Sequence, residues 1–138
     1  MRKWLVKSEP GCWSWADHVK AGTAQWDGVR NHQAANYMKD MAIGHLAFFY
    51  HSVNEKSVVG ILEVMKEAYI DPTDAKGKFV CVDFKARERV KIPVSLADIK
   101  ANPQLENMTL LRQSRLSVMP VADDEWDEIL TMAGGLET

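Results

Sequence analysis

The chain has 138 residues, and its 17 lysine and arginine residues against 19 aspartate and glutamate residues give a formal net charge of −2. This length predicts a single domain spanning residues 1–138, and the hydrophobic fraction of 46% allows a sizeable core. The near-neutral charge argues against a protein that coats a nucleic-acid duplex by charge alone, because such proteins are strongly basic. Recognition of single nucleotides stays open, since it depends more on stacking and on base edges.

The cysteines and the apolar runs indicate a cellular compartment. Cys12 and Cys81 lie far apart and form no CxxC pair, so the usual zinc spacing is absent. Residues 1–7 become polar too early for a signal peptide, and the apolar run at 46–50 is far too short to span a bilayer. We therefore expect a reduced, cytoplasmic protein without a membrane segment.

The first predicted elements are a strand and a short helix. Residues 4–6 are apolar and predict a buried strand, which ends in a turn at Pro10. Ser14 is a suitable N-cap for a helix over residues 15–20, with Asp17 in the capping-box position.

A loop and a second helix follow. Residues 23–29 are predicted to form a loop that carries Trp26. Asn31 then caps a helix that runs to about Asp40, and Gly44 ends it, because apolar residues recur along the segment at helical spacing.

The middle of the chain is predicted to be rich in strands. Four segments have the length and composition of strands: 46–50, 57–63, 79–84 and 89–92. Residues 54–56 read as a hairpin connection and residues 71–74 as a turn. The last segment alternates charged and apolar residues, as a half-exposed or edge strand does.

The C-terminal third returns to helices around one strand. Ser95 is predicted to cap a short helix that Pro103 ends, and residues 116–121 form a last strand. Asp123 or Asp124 caps a terminal helix. Together the elements predict a mixed α/β domain, with a small, mostly antiparallel curved sheet or barrel and helices packed around it.

The densest group of functional side chains lies between Trp26 and Asn31. Gly28 allows close backbone approach, Arg30 offers a planar set of donors, and Asn31 offers both a donor and an acceptor to a ligand edge. The alternative is structural: Trp26 anchors the core, Asp27 pairs with Arg30 at the surface, and Asn31 is only a helix cap. The sequence leaves both interpretations open.

Two strand ends add polar groups. Ser8 and Glu9 follow the first strand and are candidates for a pocket rim, although on their own a strand-ending turn explains them better. Tyr50, His51 and Ser52 end the central strand with a stacking ring, a titratable ring and a hydroxyl. A solvated hairpin entry is the alternative there.

Motifs for catalysis and metal binding are absent. The four histidines lack the spacing of metal ligands, and no activated nucleophile, glycine-rich phosphate loop or dinucleotide fingerprint occurs. We therefore expect no metal and no cofactor. Two other functions stay open: an enzyme acting on a nucleobase or small planar substrate with Glu9, Asp27 or His51 as acid or base, and a module that binds a small molecule or a protein.

Five stretches, in this order along the chain, resemble the EVE domain family, part of the PUA-like superfamily and related to the YTH domains. They are residues 4–10 (WLVKSEP), 26–31 (WDGVRN), 48–52 (FFYHS), 59–61 (VGI), and 115–118 (RLSV) with 120–121 (PV). The chain departs from the family pattern at His45, where the family often has aspartate, and in a short segment between Pro72 and Phe79.

The resemblance implies a PUA-like fold, a curved and mostly antiparallel β-barrel with flanking helices. It also implies a non-catalytic module that binds a modified nucleobase in DNA or RNA, with Trp26 stacking on the base and Arg30 and Arg115 contacting the base edge or the backbone. The ligand-binding residues expected on this basis are Ser8, Glu9, Pro10, Trp26, Asp27, Val29, Arg30, Asn31, Tyr50, His51, Ser52, Arg115 and Ser117.

Overall fold

A computed structural model describes residues 2–136, and within them the chain forms six strands and five α-helices. The strands are β1 (Lys3–Ser8), β2 (Thr23–Trp26), β3 (Leu46–His51), β4 (Ser57–Ile70), β5 (Val80–Ser95) and β6 (Val118–Val121). The helices are α1 (Trp15–Ala21), α2 (His32–Lys39), α3 (Leu96–Ala101), α4 (Thr109–Arg112) and α5 (Asp123–Met132), with a short 3-10 turn at Pro103–Leu105. None of these helices is long and apolar enough to cross a membrane.

All six strands belong to one mixed sheet, in the order β2-β5-β4-β3-β1-β6. Only β1 and β3 run parallel, and the other neighbouring strands are antiparallel. The mixed α/β class, the mostly antiparallel sheet and the flanking helices are therefore confirmed. Among residues 2–136, however, the sheet is open rather than a closed barrel, because β2 and β6 are four-residue edge strands that each pair with a single neighbour.

The β4–β5 hairpin is longer than the sequence predicts. Apart from Phe79, the segments 79–84 and 89–92 belong to one strand of 16 residues, which pairs with the 14 residues of β4. Several register shifts interrupt this pairing, and such bulges bend a strand and increase its twist. Shifts of this kind curve a sheet. The predicted turn at 71–74 lies in the connection between the two long strands.

The segment predicted as a loop at 23–29 is partly a strand. Its first four residues form β2, in which Trp26 lies opposite Val82 of β5. The loop prediction was wrong there because β2 is too short to show a pattern of its own. Gly22, with a φ of 78°, turns the chain from α1 into this strand.

The first two helix caps are confirmed. The Ser14 hydroxyl accepts a hydrogen bond from the amide of Asp17 at 3.0 Å, and the Asp17 carboxylate accepts one from the amide of Ser14 at 2.9 Å. Asn31 Oδ1 accepts a hydrogen bond from the amide of Ala34 at 2.9 Å. Both helices thus begin where their polar side chains satisfy otherwise free amides.

The predicted cap of the terminal helix was wrong. The N-cap is Ala122, whose amide donates to the Glu125 carboxylate at 3.0 Å. Asp123 and Asp124 lie inside the first turn, where their negative charge complements the helix dipole.

Successive residues of β3 pack on opposite faces of the sheet, as the alternation of a strand requires. Phe48 stacks on Trp126 of α5, with ring centroids 3.7 Å apart. Phe49 points to the other face, where it makes edge-on contacts with Trp15 and Trp26. The second face therefore carries a cluster of aromatic rings next to the candidate site.

Candidate functional site

A cavity of about 730 Å³ opens where the end of β1, the end of β2 and the start of β6 meet. Its volume falls within the range of small-molecule sites, about 300–1,000 Å³. Its walls come from four separate stretches of the chain and combine aromatic, cationic, anionic and hydroxyl groups. The lining residues are Lys7, Ser8, Glu9, Cys12, Trp13, Gln25, Trp26, Asp27, Gly28, Val29, Arg30 and Ser117.

Trp26 belongs to the core and to the cavity wall at once. Only 7% of its surface is exposed, and its ring makes edge-on contacts with Phe49 at 5.4 Å and Phe84 at 5.7 Å. The structural interpretation of Trp26 therefore holds for most of the ring. The exposed remainder lines the cavity.

Trp13 is a second, more accessible aromatic wall that sequence reasoning missed. The residue is half-buried, and Ser8 Oγ donates to its carbonyl at 2.5 Å. Its own amide donates to the carbonyl of Glu9 at 2.9 Å, and its indole N–H donates to His18 Nδ1 at 3.0 Å. Three hydrogen bonds thus hold the backbone and the ring of Trp13 in place.

His18 fixes the orientation of this ring from behind. It is fully buried, and its Nε2 lies 2.8 Å from the carbonyl of Phe84. A carbonyl can only accept, so Nε2 carries the proton and Nδ1 is free to accept from Trp13. Burial lowers the pKa of His18 more than the hydrogen bond to Phe84 raises it, which favours this neutral form.

A buried carboxylate holds the part of the cavity wall that contains Gly28 and Arg30. Asp71 is fully buried, and its oxygens accept hydrogen bonds from the Gly28 amide at 2.8 Å, from Arg30 Nη1 at 3.1 Å, and from the amide and hydroxyl of Thr73 at 2.7 Å each. Burial alone would raise the pKa of Asp71, but these hydrogen bonds outweigh it and lower the pKa to about 2. Arg30 is therefore paired with Asp71, not with Asp27 as the structural alternative supposed.

Charged groups of both signs face the cavity. Lys7 Nζ donates to the carbonyl of Ser114 at 2.7 Å, and burial lowers the pKa of this amine. Asp27 is exposed, and within residues 2–136 its carboxylate makes no hydrogen bond or ion pair. A ligand with both donor and acceptor edges fits such a lining.

The predicted site residues divide into two groups. Those that line the cavity are Ser8, Glu9, Trp26, Asp27, Val29, Arg30 and Ser117. Those that lie outside it are Pro10, Asn31, Tyr50, His51, Ser52 and Arg115. The cavity residues that the sequence did not identify as ligand-binding are Lys7, Cys12, Trp13 and Gln25.

The polar residues at the end of β3 form hydrogen bonds to neighbouring segments of the fold. His51 Nε2 accepts from the amide of Trp15 at 3.0 Å, so its Nδ1 carries the proton and donates to the Glu55 carboxylate. Tyr50 is buried, and the amide of Ser52 donates to the carbonyl of Ser8 at 2.9 Å. These groups connect β3 to α1 and β1, and none of them is among the residues that line the cavity.

Two surface grooves border the cavity. The first, of about 360 Å³, is rich in side-chain amides, and we call it the amide groove; its lining residues are Asn31, Gln33, Gln113, Ser114, Arg115 and Leu116. The second, of about 440 Å³, carries two carboxylates, and we call it the acidic groove; its lining residues are Glu9, Pro10, Gly11, Val53, Asn54 and Glu55.

Potential metal ligands do not cluster within residues 2–136. No group of three or more histidine, cysteine, aspartate or glutamate side chains is placed to hold a metal ion there. Cys12 is exposed, Cys81 is buried, and both are free thiols.

Comparison with known proteins places the chain in a family. The model of the EVE domain matches residues 2–132. The chain belongs to the EVE domain family. Among solved EVE relatives, a protein from Rhodopseudomonas palustris is 52% identical with a TM-score of 0.93, and the match covers 100% of this chain and 97% of that one.

Two further comparisons concern a human EVE protein. Thymocyte nuclear protein 1 from Homo sapiens is 34% identical, and the match covers 94% of this chain and 72% of the relative. In the crystal structure of human THYN1 in complex with 5-methylcytosine-containing DNA, the protein chain is 33% identical to this one, with a TM-score of 0.87. The match covers 96% of this chain and 98% of that one.

Proposed function

We propose that the cavity binds a modified base of the cytosine type, turned out of a DNA strand, without catalysing a reaction on it. One observation carries the proposal: two tryptophans and several polar groups line one cavity of about 730 Å³. The complex of the human relative with 5-methylcytosine-containing DNA supports this ligand class. A base inside a duplex would have to be flipped out to enter.

Trp13 is the better stacking surface of the two tryptophans. The ring of Trp26 already contacts Phe49 and Phe84, which leaves little of it to a ligand. Trp13 is half-buried, and its ring is oriented by His18. An aromatic side chain contributes about 1–3 kcal/mol per stacked base, so Trp13 would supply much of the affinity.

The polar lining suits the hydrogen-bonding edge of cytosine. That edge presents an amino donor together with ring and carbonyl acceptors, and a carboxylate is a natural partner of the amino group. Asp27 offers such a carboxylate without a competing partner, and Lys7 offers a donor in the same cavity. A methyl group at C5 leaves this edge unchanged, so its contact would come from the apolar part of the lining.

The position of His51, one of the three acid–base candidates, supports binding without catalysis. Both ring nitrogens of His51 are engaged, with Trp15 and Glu55, outside the cavity. Glu9 accepts a hydrogen bond from Cys12 Sγ at 3.8 Å. A general acid or base must reach the reacting proton, and His51 does not face the cavity.

The test compares oligonucleotides that differ by one methyl group. Fluorescence anisotropy is measured with DNA that carries 5-methylcytosine or cytosine at one position, and we expect tighter binding of the methylated strand. Trp13→Ala should weaken it about 5- to 150-fold, the equivalent of about 1–3 kcal/mol, whereas Trp13→Phe should keep most of the affinity.

Tyr37→Ala is the matched control, because Tyr37 is also a half-buried aromatic residue but packs on Trp4 away from the cavity. Thermal melts of each variant report its folding. Equal affinity for both oligonucleotides, or unchanged affinity of a folded Trp13→Ala variant, would contradict the proposal.

A further inference from the structure

The amide groove borders the cavity through neighbouring residues of the chain. Asn31 of the groove directly follows Arg30 of the cavity wall, and Leu116 directly precedes Ser117. Lys7 joins the two spaces, because it lines the cavity and its Nζ donates to the carbonyl of Ser114 in the groove. A chain that leaves the cavity on this side therefore enters the groove.

The groove presents donors without competing acids. Arg115 is the charged residue among its lining groups, and no hydrogen bond within residues 2–136 engages the side chains of Arg115, Gln33 or Gln113. Asn31 Oδ1 is occupied by the Ala34 amide, but its side-chain N–H groups remain available. Arginine and side-chain amides are among the groups that contact phosphate oxygens in protein–DNA complexes.

The acidic groove borders the cavity at a different point, because Glu9 lines both. Its carboxylates belong to Glu9 and Glu55, and no lysine or arginine is among its lining residues. A phosphodiester entering there would meet charges of its own sign. The two grooves beside the cavity thus differ in charge, although the chain as a whole is nearly neutral.

We propose that the strand carrying the flipped base runs along the amide groove, with a phosphate against Arg115, and turns away from the acidic groove. This inference rests on the proposed function, since it requires a base in the cavity. It assigns the backbone contact to a surface outside the base pocket. Affinity for the polymer and choice of the base should therefore be separable.

The first experiment uses Arg115→Gln, with Arg89→Gln as the matched control. Arg89 is exposed on β5 and lines neither groove. Binding of a single-stranded oligonucleotide with one 5-methylcytosine is measured over a series of salt concentrations, beside binding of the free nucleoside 5-methyl-2′-deoxycytidine, which has no phosphate.

Arg115→Gln should make the slope of log K against log salt shallower by about 0.7, the contribution of one phosphate contact in a single strand. Nucleoside binding and the preference for the methylated base should not change, and Arg89→Gln should keep the wild-type slope. An unchanged slope in Arg115→Gln, with the nucleoside still bound, would overturn the groove proposal alone. Failure of the nucleoside to bind would overturn the proposed function and the groove proposal with it.

The second experiment adds one negative charge to each groove. Gln33→Glu places it in the amide groove and Asn54→Asp in the acidic groove. Gln33 lies in the first turn of α2, where an acidic residue stabilises a helix, so weaker binding by Gln33→Glu would not reflect unfolding. We expect Gln33→Glu to weaken oligonucleotide binding at low salt and Asn54→Asp to leave it unchanged. Equal effects, or a larger effect of Asn54→Asp, would overturn the proposal.

Discussion

Replacing Asp71 with asparagine tests how the wall of the cavity is held in place. One carboxylate oxygen accepts from the Gly28 amide and from Arg30, and the other accepts from the amide and hydroxyl of Thr73. Asparagine has nearly the same shape, but an NH2 group replaces one oxygen. It would therefore point donors at donors on one side of the network.

The expected loss can be worked out from these contacts. Removing one partner of a buried ion pair costs about 3–5 kcal/mol, and a buried donor left without an acceptor costs about 1–3 kcal/mol. The Arg30 side chain is 38% exposed, so water recovers part of its lost interaction. We expect Asp71→Asn to lower the free energy of unfolding by about 3 kcal/mol.

The pKa of Asp71 gives a second measure of the same network. A fall from the ordinary 3.8 to about 2 means that the folded protein favours the ionised form by about 2 kcal/mol. Because the folded pKa is lowered, this stability is fully present above about pH 4 and is lost as the pH falls through about 2. The difference in stability between wild type and Asp71→Asn should therefore narrow over that range.

Urea unfolding at neutral pH and at several acidic pH values measures both effects. Asp127→Asn is the control, because Asp127 is an exposed residue of α5. The affinity for the methylated oligonucleotide should also fall in Asp71→Asn, since Gly28 and Arg30 line the cavity. A loss below about 1 kcal/mol at neutral pH, or a difference that does not narrow on acidification, would refute this account of Asp71.

Three further changes test the fold around the site. Gly60→Ala would place a Cβ 2.5 Å from ring carbons of Trp15, so stability should fall by about 1–3 kcal/mol in urea unfolding, whereas Gly11→Ala, with nothing within 4 Å, should change it little. Because burial lowers the pKa of His18, the unfolded chain takes up the proton first, and stability should decrease as the pH drops below about 6.5. In thermal melts at several pH values, His18→Phe should not show this fall in stability. A pH profile identical to that of the wild type would contradict the role of His18. Ser14→Ala removes the cap of α1 and should cost about 1 kcal/mol in the same melts.

Local signals predicted the elements well. Ser14 and Asn31 cap their helices because a side-chain oxygen next to free amides is a nearest-neighbour effect, visible in a few residues of sequence. The strands β1 and β3 each have two neighbours in the sheet and contain the apolar runs 4–6 and 46–50, so their composition identifies them. Charged residues on the exposed face of β5 interrupt its apolar pattern, so the sequence suggested two strands in place of one.

The cavity lining was harder to predict because it depends on contacts between distant segments. Lys7 and Ser114 are 107 positions apart, and only the pairing of β1 with β6 brings them together. The ring of Trp13 is held in the cavity wall by a hydrogen bond to the buried His18, five residues away. No sequence motif marks that pair. His51 shows the opposite case, because a polar residue at the end of a buried strand can serve the amide of a neighbouring helix instead of a ligand.

The two interpretations of Trp26 drawn from the sequence are not exclusive, and this decides which tryptophan is informative in a binding experiment. Truncating a buried tryptophan costs about 3–5 kcal/mol, and Trp26 packs on two core rings. Loss of binding in Trp26→Ala would therefore follow from damage to the core as well as from loss of stacking. Trp13 is half-buried and is held by hydrogen bonds instead of close packing on all sides, so its removal separates the two effects.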